Sequence, residues 1–380
     1  MDWIRRKVVV IIILSIFYVE SNAKPNDSIP AFPDMVYEYR FASLAKKTPL
    51  DLEYNALVRK YIEIYTIDRR ADVSKILGLS KLYFPIFENY LDKYDLPLEL
   101  KYLSVVESSL NPLAKSSSGA IGLWQFLFHS GQMFDLEISS YIDDRRDVYK
   151  STDAACRYFK YLYQTFHDWH LVLAAYNGGP GVVRNAIERS GGKTNLWELL
   201  PYLPEQTQNY VPAFLAMNYV FNFSKEHHIE ATDAPYKFEN IDTIYIGYSI
   251  SFAQIEESIK ITTEQLRFLN PRYKLDVIPE TGTKQILVLP HNLVSSYLVF
   301  ENQIQASSAK MNNAEHAKLQ KTTYTVERGD FLHKIAIKYN CSPADIRQWN
   351  HLSSDFIAPG QTLVIWVSEL PKEIKNNTVF

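Results

Sequence analysis

The sequence predicts a mainly α protein in which a large helical domain is followed by small α+β modules of strand, helix, helix and strand. Three observations carry that expectation. From about Leu50 to Phe223 apolar residues recur at spacings of three and four, and breakers are confined to short stretches such as Ser116 to Gly122 and Asn177 to Gly181. Beyond Tyr236 the period changes: Ile241 to Ile246 alternates, residues 252–269 read as helix, and Gln285-Ile286-Leu287-Val288-Leu289 reads as a strand before Pro290. The layout then repeats between Thr322 and Val367, where Tyr324-Thr325-Val326 and Leu363-Val364-Ile365 flank two short amphipathic helices. At 380 residues the chain is too long for one ordinary core, so a modular protein is expected.

Taken in order, residues 1–23 read as an export signal. Arg5, Arg6 and Lys7 form a basic start, Val8 to Tyr18 an apolar run too short for a comfortable membrane span, and Ser21-Asn22-Ala23 a small-x-small cleavage site. The mature chain is therefore expected outside the cytoplasm, in the periplasm or cell envelope, with no integral span once the signal is removed. Residues 24–90 read as an N-terminal helical extension and 91–225 as the main helical domain. Residues 236–290 form the first α+β module, 291–321 an exposed helical or flexible linker with few core contacts, 322–367 the second module, and 368–380 a disordered tail.

Composition narrows the partners. With 40 basic and 43 acidic residues the chain has no net field for holding a polyanion, which argues against nucleic acid. Aromatic residues make up 14%, rings that suit sugar faces as well as cores. Cys156 and Cys341 are the only cysteines and fall in different domains, so neither a disulfide framework nor a cysteine-rich metal site is available; no metal or cofactor is implied.

The candidate for chemistry is Glu107. Pro97 and Glu99 give helix-start signals, and the apolar stripe that follows runs through Leu100, Leu103, Val106 and Leu110. Glu107 falls within that stripe, so its carboxyl is expected among apolar neighbours that disfavour the charged form and raise its pKa. A carboxyl still protonated near neutrality is what a general acid needs to protonate a glycosidic oxygen. The alternating acids and bases of Asp144-Arg145-Arg146-Asp147 read instead as ion pairs that pin loops.

The context of Glu107 carries a resemblance. Glu107-Ser108 is followed by Gly119-Ala120-Ile121-Gly122-Leu123-Trp124-Gln125, then by Ala174-Ala175-Tyr176-Asn177-Gly178-Gly179 and by Gln208-Asn209-Tyr210-Val211-Pro212. This ordered set resembles the soluble lytic transglycosylase family, and the resemblance implies a lysozyme-like helical catalytic domain. Carried over by position, Glu107 matches the catalytic acid, while Ser116, Gln125, Tyr176 and Asn177 match residues lining the sugar groove. Trp124 stands where many relatives have Met and offers a ring either to stack on a sugar or to fill the core. Phe128 replaces a common Pro.

The final module resembles LysM, a βααβ fold that binds peptidoglycan and chitin, through Tyr324-Thr325-Val326-Glu327-Arg328-Gly329-Asp330, Trp349-Asn350-His351-Leu352 and Pro359-Gly360-Gln361-Thr362-Leu363. That resemblance implies glycan contacts at Gly329, Asp330, Phe331, Ser354 and Ile357. The 236–290 module reads as a degenerate copy lacking the Gly-Asp turn, with a structural role. Together the resemblances imply an enzyme that cleaves the glycan strands of peptidoglycan without water, through 1,6-anhydro ring closure, and needs no cofactor. A lysozyme-like hydrolase and a non-catalytic wall-binding protein are the alternatives.

Overall fold

The computed structural model describes residues 30–308 and 319–367. The predicted signal at 1–23, the part of the predicted linker at 309–318 and the predicted tail at 368–380 lie outside the described residues.

Helix α1 (Asp34–Ala45) precedes α2 (Ala56–Glu63), which starts where the Asn55 side chain accepts from the backbone N–H groups of Leu57 and Val58. A π-helical turn, Ile64–Asp68, joins α2 to the long α3 (Arg70–Lys93). A 3-10 turn at Leu98–Leu100 opens α4 (Lys101–Ser108), and α5 (Phe128–Met133) follows a long loop. Helices α6 (Val148–Phe166) and α7 (Trp169–Gly178) are capped by Asp147 and Asp168, and Pro180 starts α8 (Pro180–Arg189). Short α9 (Leu196–Leu199) leads to α10 (Glu205–Phe223).

Helix α10 is the axis of this domain, because apolar residues occupy nearly every face of it: Val211, Phe214, Leu215, Ala216, Tyr219 and Val220 are all fully buried. It packs on α2, α4 and α7. Phe41 of α1 stacks on Tyr219 with centroids 5.5 Å apart, so the predicted N-terminal extension shares one core with the predicted main domain. The apolar face of α1 buries itself by packing on α10.

The first α+β module pairs β1 (Ile241–Ile246) antiparallel with a later strand, and β2 (Ile250–Ser251) leads into α11 (Phe252–Ile259) and α12 (Thr263–Leu269). Strand β3 (Val277–Ile278) pairs β2, and β4 (Gln285–Pro290) pairs β1. The second has β5 (Gln320–Thr325), α14 (Leu332–Tyr339), α15 (Pro343–Trp349) and β6 (Thr362–Val367). One asparagine does the same work in both. Asn270 bonds the backbone N and O of Val288, and Asn350 those of Val364, tying the second helix to the last strand.

In the first part of the predicted linker the helical reading holds, but the expectation of an exposed segment with few core contacts fails. Residues 291–308 form α13 (His291–Ser308), and Tyr297 is fully buried with its hydroxyl 2.8 Å from that of Tyr248. Leu293 and Val294 pack beside it, so a polar composition concealed an apolar face of helical spacing. The first module is also stitched to the helical domain by backbone: Asp143 N–H donates to Arg272 O and Lys274 N–H to Tyr141 O, both at 2.9 Å. Among the described residues no helix is long and apolar enough to cross a membrane.

Candidate active site

Glu107 sits in the last turn of α4, whose exit is sharp: Ser109 and Leu110 both take left-handed backbone, φ 54° and 59°. The Ser108 hydroxyl donates to Ser104 O and to Leu123 O, at 2.9 and 3.0 Å, so the helix end is tied to the loop that forms the opposite wall. That loop is folded tightly by bridges from Ile121 to Lys115 and Phe126. Gly122 is required within it. Its φ is +91°, and a Cβ there would lie 1.8 Å from the Arg145 carbonyl oxygen.

Around Glu107 opens a groove of about 310 Å³, lined by the 116–127 loop, Ser130, Tyr158, the end of α7 and Gln206. A larger cleft of about 620 Å³ beside Tyr163 and Trp169 holds none of the predicted residues. Burial pushes the Glu107 carboxyl up to about 7, against a partly opposing hydrogen bond donated by the Tyr210 hydroxyl. No salt bridge reaches this carboxylate among the described residues. The phenols of Tyr176 and Tyr210 are held far above their ordinary pKa, by burial first and by the Glu107 charge second, so both remain neutral donors.

Ser116, Gln125, Tyr176 and Asn177 all line this groove with Glu107. Each also braces it. The Ala120 N–H donates to Ser116 Oγ at 3.0 Å, and Gln125 Nε2 donates to Gly122 O at 2.9 Å. The Tyr176 hydroxyl donates to Trp124 O at 2.8 Å, and Thr207 Oγ1 donates to Asn177 Oδ1 at 3.0 Å. Trp124 corrects the sugar-stacking expectation. Its ring is 0% exposed, packed on Phe87 and Phe159, and its indole N–H donates to Thr152 Oγ1 at 3.0 Å. At the turn between Gly122 and Gln125 the loop turns its largest side chain into the core, where it buries the most area.

Tyr210 is the site residue that sequence reasoning missed, although it stands within a quoted motif. Nothing in the local spacing of α10 marks one buried tyrosine among several as a partner for a glutamate on α4. The Asp144–Asp147 run is pinned, as expected, and the preceding Asp143 is drawn into the same pairing. Arg145 makes a bidentate pair with Asp143, both bonds 2.8 Å, while Arg272 lies 2.5 Å from Asp144 and Lys150 Nζ 2.7 Å from it.

In the terminal module the predicted glycan residues divide. Phe331 is 56% exposed, and Gly329 and Ser354 are exposed too. Asp330 and Ile357 are corrections. The Asp330 carboxylate accepts from Lys334 Nζ, the Tyr324 hydroxyl and the Glu327 N–H, bonds that hold it down to about 2 and commit it to bracing its own turn. The Ile357 side chain lies in the module core. Among the described residues no cluster of His, Cys, Asp and Glu could hold a metal ion, and both cysteines are buried thiols pushed up to about 12 by burial.

Comparison with known proteins finds relatives of three segments of the chain. Residues 84–196 match the family model of the transglycosylase SLT domain, 240–306 that of the LysM-like domain of lytic transglycosylase MltD, and 324–366 that of the LysM domain. The chain is 30% identical over 291 residues to membrane-bound lytic murein transglycosylase D of Escherichia coli, covering 75% of this chain and 64% of that relative's length. It is 28% identical over 148 residues to the soluble lytic murein transglycosylase of the same species, covering 37% of this chain and 23% of that one. The solved 70-kDa soluble lytic transglycosylase of Escherichia coli aligns with a TM-score of 0.34 at 20% identity, covering 56% of this chain and 40% of that one. Residues 84–196 therefore carry an SLT domain, and two LysM-type segments, 240–306 and 324–366, follow it.

Proposed function

We propose that this protein is an exported lytic transglycosylase of peptidoglycan, acting on the β-1,4 bond between N-acetylmuramic acid and N-acetylglucosamine, with its LysM module holding the enzyme on the wall. The observation that carries the proposal is a single carboxyl in a sugar-sized groove, held protonated to about pH 7 by burial, with no cation beside it among the described residues. Glu107 is the only carboxylate among the residues lining that groove.

The chemistry follows from one acid used twice. Protonated Glu107 gives its proton to the leaving glycosidic oxygen as the bond from the muramoyl anomeric carbon to that oxygen breaks. The resulting carboxylate then takes the proton of the muramoyl C6 hydroxyl, whose oxygen attacks the same anomeric carbon and closes a 1,6-anhydro ring. The proton that Glu107 gave leaves on the new sugar hydroxyl, the one taken from the C6 hydroxyl restores the acid, and no water is consumed. The nucleophile is tethered within the substrate, so its effective concentration is high and no second carboxylate is needed to activate water. A hydrolase would place a second acid across the sugar ring from the first.

Tyr210 holds the carboxylate in position. Its neutral hydroxyl stabilises the charged form reached halfway through the cycle. The test is muropeptide analysis after incubating the mature protein with sacculi. Products ending in 1,6-anhydro sugars, lighter by one water than reducing ends, support the reading; reducing ends alone would show a hydrolase, and intact sacculi a binding protein.

A further inference from the structure

The terminal module does not hang from the body; three sets of contacts seat it against the helical domain and the first α+β module. At one end His333 Nε2 of α14 lies 3.2 Å from His129 Nδ1 of α5, and the His333 ring meets Phe128 edge-on at 5.6 Å. In the middle Asn340 accepts twice: its Oδ1 from Arg145 at 2.9 Å and its backbone O from Lys274 Nζ at 2.8 Å, the latter also bonded to Ser139 O. At the far end Asp345 accepts from both the N–H and the hydroxyl of Ser140, at 3.1 and 3.2 Å. Arg145, its side chain 2% exposed, is the same residue whose carbonyl approaches Gly122 in the groove loop.

This seating places two surfaces side by side. Leu127 and Ser130 line the catalytic groove, and His129, between them in sequence, touches α14. Phe331 precedes α14 by one residue and His333 by two, and its ring stands 56% exposed; Phe356 on the neighbouring loop is 81% exposed. Exposed aromatic faces of this kind are what sugar rings stack on. Their position beside the groove matters because a second contact made by a rigidly seated module costs far less ordering than one made at the end of a flexible tether.

We infer that the groove and the exposed edge of the LysM module form one track occupied by a single glycan strand, with Phe331 as a distal sugar platform that makes cleavage depend on strand length. The inference rests on the reading of both surfaces as glycan sites. It differs from a wall anchor that grips a separate strand, which would raise binding to sacculi without any dependence on the length of the strand being cut.

The test uses the full chain and the double substitution His333→Ala with Asn340→Gly. Both side chains are half-buried where the module meets the body, outside the module's own core, and Asn340 has φ +50°, a backbone glycine adopts without strain. The parent should cleave long glycan strands with a kcat/KM about tenfold above that for a tetrasaccharide, and the double variant should lose that preference while cutting the tetrasaccharide as the parent does. Phe331→Ala should lower turnover of long strands. A length preference that survives the double substitution, or none in the parent, overturns the inference. Binding separates this outcome from failure of the enzymatic reading. Should the parent cleave nothing, its calorimetric affinity for N-acetylglucosamine oligomers must still rise with length and that rise must vanish in the double variant; otherwise the shared track is wrong.

Discussion

Two regions of the helical domain take carboxylates out of water, and they end up with opposite uses. The Asp143–Asp147 run is buried with its own cations: Arg145 holds Asp143 below the ordinary carboxylate range despite the burial that opposes it, and Arg272 and Lys150 pair with Asp144. Glu107 is half-buried, bonded to a neutral phenol and open to a groove, with no cation paired to it among the described residues. A raised pKa does not by itself separate them. Burial pushes Asp147 up as well, yet its oxygens are committed to capping α6 and to Arg272. What singles out Glu107 is the combination of a retained proton and a free approach for substrate.

Neutralising each acid in turn should have opposite consequences. Glu107→Gln should lower release of anhydro-muropeptides by about 10³-fold while the protein stays folded, the scale expected for loss of a general acid. Retained lysis would move the chemistry elsewhere. Asp143→Asn should do the reverse. It leaves the buried Arg145 without its partner, so thermal unfolding should show a loss of about 3 kcal/mol, with the folded fraction still active. An inactive but fully stable Asp143→Asn protein would place chemistry in the pinned cluster.

Stability against pH sharpens the same contrast. Because the folded state raises the Glu107 pKa from 4.5 to about 7, the folded protein binds that proton more tightly than the unfolded chain, and stability declines as pH rises through that window. Gln does not titrate. The Glu107→Gln protein should therefore match the parent below the window and exceed it above, by up to about 3 kcal/mol, read as a pH-dependent difference in melting temperature. The smallest effect belongs to Tyr210→Phe. Its hydroxyl lowers the Glu107 pKa, so removing it should shift the alkaline limb of the pH–rate profile upward and reduce kcat modestly; an unmoved limb would show that Tyr210 serves packing alone.

Periodicity and turn chemistry were enough to read the class of the molecule, the βααβ modules and the place of Glu107 in an apolar stripe, because each depends on neighbours within a turn or two of helix or strand. The groove residues Ser116, Gln125, Tyr176 and Asn177 were legible only through a resemblance, and the structure brings them together from a loop and the end of α7. Pairing across the chain was not legible. Tyr210 reaches Glu107 across 103 positions, and Trp124, Asp330, Ile357 and Tyr297 could each have faced outward on local pattern alone. A sequence states that a face is apolar or that a turn carries an acid. Only packing decides which partner that face meets, because burial and pairing are contests among all the segments that fold against one another.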